Sequence, residues 1–180
     1  VEWSDIDGIG VTRGPGLVGA LLAGWCYGRG AARSCGIPFV GVNHLEAHVH
    51  GALMPTLEAG NRVDYPLLAL IVSGGHTMLY RLPTEAEFCL AGTTLDDAAG
   101  EAFDKVSTLL GLGYPGGPVI DQLSDAGDPM GVNLPRSRLS NPFDFSFSGI
   151  KAAVRREALR QEIEPGRPDD QRVLDLAASF

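Results

Sequence analysis

Short apolar runs alternate with segments of helical periodicity along this chain, and one such junction constrains it most. Ile37 to Val42 reads as a strand and runs straight into Asn43-His44-Leu45-Glu46-Ala47-His48. Asparagine is a favoured helix N-cap, so a helix starting at His44 follows the strand. Side chains four apart stand one above the other on a helix, so His44 and His48 share a face while Glu46 lies about 200° around from His44. Two neutral imidazoles so placed suit zinc or iron, with a carboxylate from elsewhere to complete the site. The same pair could instead be structural, hydrogen-bonded to neighbouring loops. His50 is not expected as a third ligand from that face. Leu45 stands where a zinc peptidase would carry its general-base glutamate, which argues against peptidase chemistry.

The remaining periodicities extend the alternation. Ile6 to Val11 reads as a strand, Thr12 to Gly16 as a turn, and the stretch to about Ser34 as a long helix. Gly16, Ala20, Gly24 and Gly28 recur every fourth residue, a small-residue stripe suited to close packing on the chain's own sheet or to a seam with a partner helix. Asn61 to Pro66 reads as a surface connection and a boundary. Leu67 to Val72 is continuously apolar, as in a strand buried on both faces. Met78 to Leu82 reads as another strand, and Thr94 to Leu110, Val119 onward, Ser148 to about Glu162 and Asp169 onward read as helices. Strands alternating with helices imply α/β layers.

Composition narrows the class. Hydrophobic residues make up 44% of the 180, which excludes a disordered chain. No apolar run approaches the roughly 20 residues needed to cross a bilayer, and no signal peptide is visible. Cys26, Cys35 and Cys89 are scattered, so neither a disulfide framework nor a thiolate metal motif is expected and a cytoplasmic location fits. The formal net charge of −8 argues against broad, autonomous nucleic-acid binding, though not against a nucleic-acid substrate. Val1 is not an initiator methionine and Ala177 to Phe180 carries no helix-ending signal, so a fragment of a longer chain is expected.

Three further constellations carry chemical interest. Ser73-Gly74-Gly75-His76-Thr77 can make a nest of backbone N–H groups for a phosphate or carboxylate, or simply a hairpin turn. Asp97, Glu101 and Asp104 follow i, i+4, i+7 spacing, either a solvated helix face or a stripe with one carboxylate turned to a ligand; Glu101 and Lys105 can pair. Tyr114 to Pro118 forms a rigid loop in which Gly117 can bring backbone close to a ligand, with Asp121 expected on the first turn of the following helix.

These motifs, in this order, resemble the universal tRNA threonylcarbamoyladenosine transferase family in its bacterial form, once described as a glycoprotease. The resemblance rests on Gly14 to Leu17, Asn43 to His48, Val72 to Thr77, Asp96 to Lys105, Tyr114 to Pro118 and Phe145-Ser146-Phe147-Ser148-Gly149-Ile150-Lys151. It implies an α/β actin-like ATPase (ASKHA) fold with ribonuclease-H-like lobes and the ligand in the cleft, incomplete here at both ends. Residues 1–66 would belong to the first lobe and 67–180 to the second. It implies His44 and His48 as ligands of one divalent metal, Fe2+ or Zn2+. Ile71, Val72, Ser73, Gly74, Gly75, Asp104, Gly117 and Asp121 would contact the substrate. The implied reaction transfers threonylcarbamoyl from threonylcarbamoyl-AMP to N6 of adenosine 37 in tRNAs reading codons that begin with adenosine. The implied partners are a paralogous, non-catalytic TsaB-like protein, through the helix over 16–34, and a TsaE-like ATPase; no membrane is involved. No residue stands out as a covalent nucleophile, and the catalytic residues stay unassigned. The family's opening strand, a later asparagine-bearing loop and its metal-binding aspartate lie outside this sequence, so weak metal binding and no activity are expected of the chain alone. A non-catalytic assembly fragment, a metal-dependent peptidase and a sugar or acetate kinase relative are the competing readings.

Overall fold

The computed structural model describes residues 2–180; Val1 lies outside them. The chain divides into two compact units, one running up to Tyr65 and the other Pro66–Phe180.

The first unit is a strand–helix–strand crossover followed by a second helix. After a single 3-10 turn, Trp3–Asp5, strand β1 (Ile9–Gly14) leads to helix α1 (Val18–Cys35), strand β2 (Phe39–Asn43) and helix α2 (His44–Glu58). β1 and β2 pair in parallel, with Ile9 opposite Phe39 and Thr12 opposite Val42. The first strand is therefore displaced from its expected place. It starts at Ile9, and Thr12 to Gly14 belong to it because Thr12 and Gly14 pair with β2, with the register shifting at Arg13 between them.

α1 closes on Gly36, a left-handed C-cap (φ 68°) whose N–H bonds to the Ala32 carbonyl. Gly28 is where this glycine-bearing helix meets its own sheet most closely. A Cβ there would fall 2.4 Å from Val11 Cγ2, so α1 seats on β1 at Gly28. Gly16, by contrast, precedes the helix. A groove of ≈ 690 Å³ runs beside the stripe, walled by Val11, Leu17, Ala20, Gly24 and Tyr27. Leu17, Val18, Leu22 and Tyr27 are all exposed.

The second unit opens with an antiparallel meander: β3 (Leu67–Val72), β4 (Thr77–Leu82) and β5 (Cys89–Thr93), in the order β3-β4-β5. Helices α3 (Ala99–Leu110), α4 (Gly116–Ser124), α5 (Ser148–Arg160) and α6 (Gln171–Ser179) follow. The principal buried cluster lies among these helices. Val106 and Leu110 of α3, Ile120 of α4, Val154 of α5 and Val173 and Leu176 of α6 are its closed centre.

Three expectations change here. β3 is not buried on both faces: it is an edge strand, and its alternate residues Leu68, Leu70 and Val72 are each more than half exposed. α3 starts at Ala99 rather than Thr94, because Thr94 and Leu95 pair with Phe145, Asp96 binds the start of α5 and Asp97 meets Lys151. α4 starts at Gly116, not Val119.

Gly28 and Gly24 give a paired test. Gly28→Ala forces a methyl group against Val11 and should cost about 1–3 kcal/mol of stability. Gly24→Ala places its Cβ 3.7 Å from Val11 Cγ1, an ordinary contact, and gains about 1 kcal/mol of helix propensity. Thermal melts should show the first variant below the parent and the second at or above it. Equal melting of the two would contradict the close seating of α1 on β1.

Candidate functional site

The histidine pair is built by local rules. Asn43 Oδ1 accepts the Leu45 N–H at 2.8 Å and the Glu46 N–H at 3.4 Å, capping α2 as the sequence suggested. Leu45 and Val49 are buried and fix the helix face. That brings His44 Nε2 and His48 Nε2 to 3.1 Å from one another. Two nitrogens bound to one metal at ~2.1 Å are separated by about 3.0 Å in octahedral and 3.4 Å in tetrahedral geometry. The pair therefore has the bite of a metal chelate. The same spacing also allows a single N–H···N hydrogen bond. Among the described residues no group of three or more His, Cys, Asp or Glu side chains is arranged to hold an ion. The pair thus fits half of a metal site, and His50 does not extend it.

The Ser73 turn is a four-residue hairpin connection between Val72 and Thr77, which pair across β3 and β4. It is stitched from within. Ser73 Oγ accepts the Gly75 N–H at 3.3 Å and the His76 N–H at 2.9 Å, while the Ser73 N–H reaches the His76 carbonyl at 2.8 Å. The expected nest of donors is reduced accordingly, because the serine takes two of its amides. The Gly74 N–H stays without a hydrogen bond among the described residues. The first turn of α3 docks on this hairpin: Ala99 N–H donates to Thr77 Oγ1 at 2.8 Å and Gly100 N–H to the Ser73 carbonyl at 3.1 Å. A Cβ on Gly100 would lie 2.7 Å from that carbonyl oxygen, so the approach needs glycine. Ile71 and Val72 are the last two residues of β3, half-buried and exposed respectively.

The acidic stripe is mostly committed to internal partners. Lys105 bridges Asp97 at 2.7 Å and Glu101 at 2.8 Å, and Lys151 of α5 closes on the other oxygen of Asp97. These lysines hold the Asp97 carboxyl below the usual carboxylate range. Asp104 Oδ1 accepts the Gly116 N–H at 2.7 Å, which ties α3 to the start of α4. Asp96, next to the stripe in sequence, lies at the N-terminus of α5. It accepts from Ser146 Oγ (2.6 Å), Phe147 N–H (2.8 Å), Ser148 N–H (3.3 Å) and Ser148 Oγ (2.6 Å). Partial burial raises its pKa, but these donors outweigh that and hold it at about 2.

The two adjacent glycines of α4 differ in role. A Cβ on Gly116 would lie 2.5 Å from the Phe103 carbonyl oxygen, whereas one on Gly117 would meet nothing within 4 Å. Gly74 and Gly75 are equally open. Asp121 is exposed and lies on the second turn of α4, not the first, because that helix begins earlier than its sequence suggests.

A model of the family described as tRNA N6-adenosine threonylcarbamoyltransferase matches residues 1–180. The chain belongs to this family. Proteins described by the family's name, tRNA N6-adenosine threonylcarbamoyltransferase, include one from Syntrophotalea carbinolica that is 54% identical over 181 residues, covering 100% of this chain and 51% of the relative. One from Ralstonia pickettii is 49% identical over 178 residues, 98% of this chain and 50% of the relative. One from Trichlorobacter lovleyi is 47% identical over 181 residues, with 100% and 51% covered. The chain therefore spans about half the length of these threonylcarbamoyltransferase relatives.

Asp96 should make stability depend on acid. Its carboxyl is held below the ordinary 3.8, at about 2, so its contribution is complete above pH 4 and disappears as pH falls through 2. Asp96→Asn should be less stable than the parent at pH 7 in urea unfolding, and the difference should shrink towards pH 2. A difference that stays constant across that range would refute the clamp.

Proposed function

We propose that the full-length parent of this chain transfers threonylcarbamoyl from threonylcarbamoyl-AMP to N6 of adenosine 37 in tRNAs reading codons that begin with adenosine. The observation that carries this reading is the family match along residues 1–180. The N6 amine attacks the carbamoyl carbonyl carbon, the bond from that carbon to the phosphate oxygen breaks, AMP leaves with the electron pair, and one N6 proton is released to an acceptor that stays unassigned. An exocyclic amine is a weak nucleophile, so positioning must supply much of the acceleration. We assign the whole protein to an actin-like ATPase (ASKHA) fold with ribonuclease-H-like lobes, to which residues 1–66 and 67–180 contribute, and to the cytoplasm. Among the described residues no helix is long and apolar enough to cross a membrane. The uncovered face and free edge of β3 are consistent with a larger sheet in the whole protein.

Within that reading His44 and His48 would hold one divalent ion, Fe2+ or Zn2+, whose chemistry there is Lewis-acid polarisation of a substrate oxygen. Ile71 to Gly75 would receive the nucleotide side of the adenylate. Gly74, Gly75 and Gly117 support this, because neither a crowded Cβ position nor a positive φ requires glycine there. What they offer is bare backbone to a close neighbour. The Gly74 N–H is the donor available to a phosphate oxygen, and the exposed carboxylate of Asp121 can accept from a ribose hydroxyl. Asp104 would serve by fixing the Gly116–Gly117 backbone, with its second oxygen left for the ligand.

The groove beside α1 supports a docking role as well. Its apolar, small-residue floor suits a helix of the paralogous TsaB-like protein, and a TsaE-like ATPase would complete the assembly.

Two measurements test these statements. Full-length protein, supplied with its partners, tRNA and threonylcarbamoyl-AMP, should form the modified nucleoside, and His44→Ala with His48→Ala should abolish both bound metal and product. No modified adenosine alongside an active control would remove the assignment. Gly24→Leu should fill the α1 groove and weaken pairing with the paralogue at least tenfold. Unchanged affinity in a titration would reject the seam.

A further inference from the structure

No residue of the Phe145 to Lys151 motif is assigned above to the metal or the adenylate, and the motif also builds a cavity. Phe145 is pinned to the end of β5: its N–H reaches the Thr93 carbonyl at 3.0 Å and its carbonyl accepts the Leu95 N–H at 2.9 Å. The next residue, Ser146, gives its hydroxyl to Asp96. Side chains two apart on an extended segment share a face, and the Phe145 and Phe147 rings are accordingly near-parallel, 5° apart in plane with centroids separated by 6.4 Å. They line a cavity of ≈ 240 Å³ with Phe103, Phe180, Arg136 and Asp144. Phe103 and Phe180 meet edge to face at 5.1 Å.

The polar groups are few and of opposite kinds. Arg136 spends one N–H on the Ser179 carbonyl at 3.1 Å and keeps the rest of its fork. Asp144 Oδ1 accepts the Thr93 N–H at 3.0 Å and Asn141 Nδ2 at 3.1 Å, while Oδ2 takes no hydrogen bond among the described residues. Phenyl faces for a flat ring, a carboxylate oxygen for an exocyclic amine and a guanidinium for a phosphate together describe a nucleotide. The volume falls below the roughly 300 Å³ at which small-molecule pockets begin, so one ring system enters and its sugar and phosphate stay outside. That favours a base splayed from a strand over a free mononucleotide. A net charge of −8 gives these 180 residues no general attraction for RNA, so a contact they make with RNA rests on local groups such as Arg136.

We propose that the cavity walled by Phe145, Phe147 and Arg136 receives an unstacked base of the tRNA, other than the adenosine that reacts. The inference rests on the parent being a tRNA-modifying enzyme. It assigns the cavity to RNA positioning, separate from the residues given to the adenylate.

The test uses the full-length protein with its partners and measures affinity for substrate tRNA, and separately for AMP, in the variants Phe147→Ala, Phe147→Leu, Phe147→Tyr and Arg136→Gln. Stacking predicts that Phe147→Tyr binds tRNA within about twofold of the parent, while the alanine and leucine variants lose roughly 5- to 100-fold. Arg136→Gln should weaken tRNA binding and flatten its dependence on log salt by about 0.7 to 0.9, the effect of one phosphate contact. AMP binding should not move. Leucine binding as well as phenylalanine, or an unchanged salt slope for Arg136→Gln, overturns the proposal. AMP and tRNA weakening together would assign the cavity to a free nucleotide and overturn it equally. Should a Phe147 variant melt early, exposed Arg136 decides alone. A parent that binds no tRNA removes the underlying reading too, whereas an active parent with indifferent variants removes the cavity alone.

Discussion

The second unit depends on one carboxylate closed in by four donors. Asp96 reaches across about fifty residues of sequence to the hydroxyls of Ser146 and Ser148 and the amides of Phe147 and Ser148. A negative charge at a helix N-terminus also faces the positive end of the helix dipole. With the Asp96 end tied to α5, Asp97 can meet Lys151, Thr94 can bridge to Phe145, and α3 must start where the Ser73 hairpin meets it. Few of these contacts are buried deeply, so each is individually modest. Their effect is geometric: they fix the register between hairpin, α3 and α5, while α4 with Gly117 and Asp121 is tied on separately through Asp104.

Glycines divide by what surrounds them. At Gly28, Gly92, Gly100 and Gly116 a side chain would run into the chain itself, the extreme being Gly92, where a Cβ would sit 1.8 Å from the Phe143 carbonyl oxygen. These positions let helix meet strand, strand meet loop, and helix meet helix. At Gly74, Gly75 and Gly117 the chain leaves the space open. The first group explains the fold; the second shares its open surroundings with Gly19, Gly30, Gly51 and Gly149, so openness by itself names no ligand site. In a Gly-Gly pair such as 116–117 both roles occur side by side, and only the neighbours tell them apart.

What could be read from the sequence follows how local each cause is. Asn43 capping α2 and the two imidazoles one turn apart were legible, because a cap and an i, i+4 pair lie within six residues. The Gly36 end of α1 is equally local. The Asp96 clamp was not legible, since its partners lie some fifty positions away and an acidic pair ahead of a helix suggests that helix. β3 misled for another reason. Six apolar residues in a row look the same whether one face or both are covered, and only the sheet order shows Leu68, Leu70 and Val72 exposed. β5 was invisible because Cys89 to Thr93 has no alternation of its own and is made a strand by pairing with β4. Gly116 and Gly117 hid the start of α4, because low helix propensity outvoted a start fixed by Asp104.

The histidine pair and the Ser73 hairpin show how far each site is finished by the residues in hand. Two imidazole nitrogens at 3.1 Å already have the spacing of a chelate, so little rearrangement separates them from holding an ion. Yet two ligands leave a labile site, and the described residues offer no third. The hairpin is the reverse case. It is rigid, internally satisfied and locked to α3, but Ser73 consumes the amides at Gly75 and His76 that would have made a strong anion nest. If it receives a phosphate as proposed, its contribution would come less from hydrogen bonds than from bare backbone at Gly74 and Gly75. Under the proposed reading, specificity would then have to come from groups beyond the hairpin, and the Asp104-anchored Gly116–Gly117 backbone and the exposed Asp121 are the candidates for it.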